Sequence, residues 1–156
     1  MMRSKKTSAL VFGIMLILSL TACGSTTPTY AAVEEETMEK TMHLYINETE
    51  IAVNWENNES VEALTKLAQS APITVQMSMY GGFEQVGSLG SRLPSSDTQM
   101  TTSAGDIVLY SASQIVIFYG PNSWAYTRLG KAADKSASEM RELLGNGNVT
   151  ITISYE

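Results

Sequence analysis

Arg92 lies in a glycine-rich loop that ends at Pro94, where nothing in the pattern obliges it to pair inside a core. Tyr80 and Phe83 flank the Gly81-Gly82 pair just upstream, and Tyr119 and Trp124, in YGPNSWAY, add aromatic surface from a second loop. Gln114 opens an apolar run with a side chain able to hydrogen-bond a peptide backbone. Brought together, these residues would make a groove with aromatic walls and one guanidinium, suited to an extended peptide containing proline. They also admit a plainer role, in which the aromatics plug the ends of the fold, Gln114 satisfies a turn and Arg92 pairs with Glu84 or Asp97.

Other chemistries find less support. His43 is the one histidine and Cys23 the one cysteine, so a metal site would need carboxylates for nearly every ligand. His43, in a first strand, reads as structural or solvent-facing. No G-x-S-x-G elbow is present, which leaves hydrolase chemistry without positive support. GSLGS, residues 87–91, lacks the Lys-Ser/Thr of a phosphate loop, and GNGN, residues 145–148, ends a helix where such a loop would start one. Both read as turns or caps, and neither a metal nor a cofactor is expected. Arg128, in YTRLGK, reads as a surface residue on a strand. The nine methionines, Met77, Met79 and Met100 among them, form no M-x-x-M array and suit a plastic core or an adaptable surface.

The N-terminus carries a different message. Arg3, Lys5 and Lys6 precede an apolar segment from Ala9 to Leu20, broken only by Gly13 and Ser19. That is the layout of a secretory signal peptide, too short for a comfortable membrane span. Leu20-Thr21-Ala22-Cys23 resembles the bacterial lipobox. The resemblance implies that residues 1–22 are removed and that Cys23 becomes a diacylated N-terminus, two chains being enough for stable anchoring. An ordinary cleavage near TPTYAA, residues 27–32, would instead discard Cys23. The expectation is a secreted chain lipid-anchored to the outer face of a bacterial membrane.

Removing residues 1–22 takes three of ten basic residues and none of sixteen acidic ones, leaving seven against sixteen and a net charge of −9. Such a surface is poorly suited to nucleic acid, whose phosphates need Lys and Arg. With no cysteine beyond Cys23, the core alone must stabilise the fold, which suits one domain better than two. The division is a signal peptide over 1–22, a lipidated cysteine and Ser/Thr/Pro-rich acidic linker over 23–41, and one domain over 42–156.

Within that domain the two-residue period of strands dominates. MHLYIN and EIAVNW read as a hairpin. ITVQMSM, residues 73–79, sets Ile73, Val75, Met77 and Met79 on one face, and NVTITISY does the same with Val149, Ile151, Ile153 and Tyr155. DIVLY and QIVIFY are nearly unbroken apolar runs joined by Ser111-Ala112-Ser113, the pattern of strands buried on both faces. Ser60 is placed to cap a helix with Val61, Leu64, Leu67 and Ala68 inward, ended by Pro72. SASE, residues 136–139, fits a capping box for a second helix that ends at Gly145.

The segments APITVQMSMYGGFEQVGSLGSRLP, AGDIVLYSASQIVIFYG, YTRLGK and GNGNVTITI resemble the small bacterial cyclophilin-like domains. The resemblance implies a mainly β fold, a closed eight-stranded β-barrel with two short capping α-helices. Prolyl isomerases of the true cyclophilin type carry Phe-His-Arg in the strand after the first helix, and the comparable ITVQMSM has neither histidine nor arginine. The reading that follows is a membrane-anchored extracytoplasmic domain that binds peptide or protein without catalysis. Its rivals are a peptidyl-prolyl cis-trans isomerase using Arg92 or Arg128, and small-molecule binding in the barrel mouth.

Overall fold

The computed structural model describes residues 39–156. The signal-peptide segment, Cys23 and the linker up to residue 38 lie outside the described residues. Strand β1 (Met42–Ile46) turns at Asn47-Glu48 into β2 (Thr49–Ile51), with Asn47 in the left-handed region at φ 53°. Asparagine tolerates that conformation better than most residues. The last strand of the chain, β11 (Thr150–Tyr155), pairs antiparallel with β1 on one side and with β4 (Ile73–Gln76) on the other. These four make one sheet in the order β2-β1-β11-β4.

The second sheet runs from β3 (Val53–Trp55) through β10 (Ser123–Ala132), β8 (Asp106–Tyr110), β9 (Gln114–Phe118) and β6 (Glu84–Ser88) to β5 (Ser78–Tyr80). Its seventh strand, β7 (Thr98–Thr101), pairs with the first half of β10. The inner faces of both sheets supply the main core: Leu44, Ile46, Val75, Ile151 and Ile153 from one, Ile107, Leu109, Ile115, Ile117 and Leu129 from the other.

The chain passes directly from a strand of one sheet to a strand of the other at two corners, Ala52 between β2 and β3 and Met77 between β4 and β5, and returns each time through a helix, α1 (Glu59–Ser70) or α2 (Ala137–Leu144). At the first crossing the Ala52 N–H donates to Asp134 Oδ1 at 3.1 Å, and its carbonyl accepts from the Ala133 N–H at 2.7 Å. At the second the Met77 N–H donates to the Val149 carbonyl at 2.8 Å. The closed eight-stranded barrel expected from the resemblance is therefore corrected to two antiparallel sheets with bent corners. No ladder joins the sheets among the described residues, because the corner backbone bonds to loops instead of to a neighbouring strand. Gly87 marks how closely β6 approaches the second corner: a Cβ there would sit 2.4 Å from Val75 Cγ1 and 2.6 Å from Met77 Sδ. Beyond the corner Met79 is exposed, so the single apolar face expected for residues 73–79 ends at Met77.

Both expected helices form. In α1 (Glu59–Ser70) the cap is Asn58, whose Oδ1 accepts from the Val61 N–H, and Ser60 is buried with its hydroxyl donating to the Pro94 carbonyl at 2.6 Å. In α2 (Ala137–Leu144) Ser136 and Glu139 close the capping box. Val61, Leu64 and Ala68 of α1 and Met140 and Leu144 of α2 enter the main core. Gln85, on the inner face of β6, donates to the carbonyls of Leu144 and Gly147, both at 2.7 Å, and ties the end of α2 to the sheet. Among the described residues no helix is long and apolar enough to cross a membrane.

The β8–β9 hairpin turns on Ser111 (φ 50°) and Ala112 (φ 61°), two consecutive side-chain-bearing residues in a conformation that favours glycine or asparagine. The Leu93 N–H donates to the Ala112 carbonyl at 2.8 Å and holds the turn against this strain. Replacing the pair by Asn-Gly (Ser111→Asn with Ala112→Gly) should stabilise the domain by about 1 kcal/mol. Chemical denaturation will show this as a raised midpoint at unchanged slope.

Candidate functional site

Strands β8 and β9 are buried on both faces, as their unbroken apolar runs require. Their outward side chains do not reach the main core. Val108, Val116, Phe118 and Tyr126 form a second cluster, with Phe83, Val86 and Met100 packed against it. The Tyr126 ring meets Phe118 edge-on at 5.6 Å and Tyr110 at 5.9 Å. This cluster floors a concavity of about 400 Å³ on the outer face of the seven-stranded sheet.

The two-residue period of strands decides who lines it. In β6, Gln85 and Gly87 face the main core, so Glu84 and Val86 face outward. Register sets Glu84 opposite Tyr80 of β5 on one side and opposite Phe118 of β9 on the other. Gln114 and Val116 enter from β9, Tyr110 from β8, and Trp124 and Tyr126 from β10. Tyr80 and Trp124 stand at the rim, 67% and 57% exposed. The Gly81-Gly82 turn, with both residues at positive φ, positions Tyr80 at that rim and folds the Phe83 ring back over Gly81.

Glu84 is the unusual member. It is 6% exposed, and its Oε2 is buried without a hydrogen-bond partner among the described residues. Burial pushes its carboxyl up to about 7, and no neighbouring cation opposes the shift. The Tyr126 phenol is raised as well, by burial first and then by the Glu84 charge. Its hydroxyl accepts a hydrogen bond from Asn122 Nδ2 at 2.9 Å, so the Asn122 loop closes one end of the concavity. Chemically the arrangement is a ring of aromatic faces around one acceptor-rich carboxyl group.

Of the residues singled out in the sequence, Tyr80, Gln114 and Trp124 meet in this concavity. Phe83 lies beneath it in the second cluster, and Tyr119 points the other way into the main core, 3% exposed, with a buried hydroxyl that has no hydrogen-bond partner among the described residues. The alternation that turns Phe118 outward turns Tyr119 inward. Arg92 is exposed on the loop after β6 and does not line the concavity, nor does it join any ion pair with Glu84 or Asp97. Glu84 faces the aromatic cluster, and Asp97 accepts from the Thr127 hydroxyl.

Arg128 is engaged elsewhere. Its Nη1 meets the buried Asp106 carboxylate at 2.9 Å, and Lys131 Nζ reaches the same oxygen at 3.0 Å. Burial works to raise the Asp106 carboxyl, but the Lys131 hydrogen bond, the Ser103 N–H and the two cations outweigh it and hold the group below its usual range. His43 pairs with Glu50 at 2.7 Å on the surface of the other sheet. Among the described residues no three His, Cys, Asp or Glu side chains are grouped to hold a metal ion. Sequence reasoning missed Glu84 as a site residue; its one signal was a carboxylate between Phe83 and Val86, in a segment that reads as a loop.

The sequence profile of the cyclophilin-like family matches residues 44–154, which takes in the whole of this site. No curated protein and no solved structure matches the chain.

A carboxyl raised from 4.5 to about 7 on folding gives stability that is fully present below the lower value and is lost as pH rises through the upper one. At pH 8 the cost is roughly 3 kcal/mol. Glu84→Gln removes the charge and keeps the shape. It should raise stability by that order at pH 8, by progressively less as pH falls from about 7 to 4.5, and by nothing below. Urea denaturation of both proteins across pH 4 to 8 will show the two curves converging at the acid end.

Proposed function

The chain belongs to the cyclophilin-like family, and from that premise we propose a binding domain, tethered to the outer face of a membrane through Cys23, that holds an extended peptide or protein segment beside Glu84. The observation that carries this reading is the concavity itself. Its volume of about 400 Å³ lies within the range of ligand sites, and its rim exposes two large aromatic side chains, Tyr80 and Trp124, that contribute little to either core. Exposed aromatics clustered around a recess are the usual anchors of recognition. Gln114 and Asn122 add side-chain amides that can pair with a peptide backbone.

Isomerase chemistry has less in its favour. Twisting a proline amide calls for a cation or donor at the carbonyl or nitrogen. Arg92 is outside the concavity, and Arg128 lines a separate cleft with Ser60, Pro94 and Thr127 while it neutralises Asp106. Assayed on a series of X-Pro peptides, the protein should turn over at background rate. Isomerisation well above background that falls at least tenfold in Arg92→Ala or Arg128→Ala would overturn the binding reading. On an array of extended peptides, a subset should be retained by the wild type and bound about tenfold less by Tyr80→Ala and Trp124→Ala, which lose exposed side chains and keep the fold. Uniform background across the array would also overturn it.

Tethering is tested apart from binding. Cells fed a labelled fatty acid should incorporate the label into the wild-type chain and not into Cys23→Ser, because one thiol is the attachment point for both acyl chains. A wild-type chain that takes up no label, or a Cys23→Ser chain that still does, would refute the lipid anchor at Cys23.

A further inference from the structure

The concavity combines two features that together favour a cationic group over a neutral one. One is the buried Glu84 carboxyl, 6% exposed, with an oxygen that no group among the described residues satisfies. The other is the set of aromatic rings around it: Tyr80 from β5, Tyr110 from β8, and Trp124 and Tyr126 from β10. Aromatic faces carry negative partial charge and attract cations, most strongly when water is excluded. A buried carboxylate is stabilised by a partner that brings both a positive charge and N–H donors. Among the described residues no other charged side chain lines the concavity, so these residues give it an acidic floor and polarisable walls and supply no cation.

We propose, resting on the binding reading above, that the ligand presents a positively charged alkylammonium group, which enters between Tyr80 and Trp124 and pairs with Glu84. An ammonium is favoured over a guanidinium because so little of Glu84 is exposed, 6%, which suits a compact point charge on a flexible stem. The side chain of a lysine in a peptide and a free small amine share this chemistry. The net charge of the chain, −6, adds a general attraction for cations that does not by itself select the site.

Such binding is linked to protons. The titratable groups that share the concavity with Glu84 are the phenols of Tyr80, Tyr110 and Tyr126; β9 contributes the neutral Gln114 and Val116 and the Asn122 loop an amide. No other carboxyl group and no cationic side chain lines the concavity among the described residues, so the dependence is assigned to Glu84. Because burial holds its carboxyl up near 7, an ammonium ion must displace a proton from it in acid, and affinity rises with pH through that value.

The test uses the full chain in a neutral polyoxyethylene detergent, with calorimetry for affinity and amide NMR for location. Three probes suffice: Nα-acetyl-lysine methylamide, its norleucine counterpart, which keeps the stem and lacks the nitrogen, and n-pentylammonium. At pH 8 the lysine probe should bind at least tenfold tighter than the norleucine probe, with shifts centred on Tyr80, Glu84, Gln114 and Trp124. Its affinity should fall about tenfold by pH 6. Glu84→Gln should bring the two peptide probes within about threefold of each other, and Trp124→Ala, at the exposed rim, should weaken the lysine probe several-fold without changing the pH dependence. Equal affinity of lysine and free amine identifies a small-amine site, and a clear preference for lysine identifies a peptide site; both support the inference. If the norleucine probe binds as well as the lysine probe, the ammonium inference fails while the groove reading stands. If no probe binds and no arrayed peptide is retained, both fail.

Discussion

Strands β8 and β9 are apolar on both faces, and that one constraint shapes the rest of the domain. A strand row such as Ile107, Val108, Leu109 must be kept from water on two sides at once. On the inner side the four-stranded sheet and the two helices do this, and burial of those side chains supplies the main hydrophobic stabilisation of a chain with no cysteine pair to help it. On the outer side no helix of the domain contributes to the second cluster. Cover comes from the sheet's own margins: Phe83 folds back from the β5–β6 turn, and Tyr126 and Met100 reach in from β10 and β7. Cover assembled from the margins leaves a recess between them, and the concavity at Glu84 is that recess.

The same economy explains the corners. The strand pairs β2–β3 and β4–β5 each serve two sheets, so the backbone must release its ladder partners at Ala52 and Met77. Buried or bent backbone groups need replacements. Here they come from Ala133 and Asp134 at the first corner and from Val149 at the second, in the segments flanking α2. Gln85 extends the arrangement from inside by bonding the carbonyls of Leu144 and Gly147. The helix α2 region therefore supports both corners, and its capping box at Ser136 and Glu139 fixes where that support begins.

What could be read from the sequence follows from how local each signal is. β11, β8 and β9 were legible because alternation or an unbroken apolar run states a strand's burial outright, and α2 because a capping box and Gly145 mark both ends within ten residues. In α1 the cap falls at Asn58, two residues before Ser60; both types can cap, and the Pro94 carbonyl, distant in sequence, claimed the serine hydroxyl. β6 was hidden because its glycine and polar residues imitate a loop, although Gly87 is there for close packing against Val75. The groove was half legible. Tyr80, Gln114 and Trp124 belong to it, but whether Tyr119 or Phe118 faces outward depends on register, and the place of Arg92 depends on where its loop travels. Neither is a local property. Closure of the barrel was a matter of long-range pairing and was equally out of reach.

Glu84 gives the recess its sign, and the sign bears on chemistry. A prolyl amide twisting toward its transition state is helped by a positive group near it, and the concavity instead holds an acidic one. A carboxyl group in that position costs the folded protein stability whenever it is ionised, and replacing it by an amide would recover that stability. A fold that relies on its core alone has little margin for such a cost. The cost is offset when something cationic sits against the carboxylate, because the desolvation is then shared with a partner that satisfies it. Aromatic walls make that partner easier to desolvate. The features that make Glu84 unfavourable to the isolated domain are therefore the ones that would make a bound cation favourable, and stability and affinity would then be opposed in one side chain.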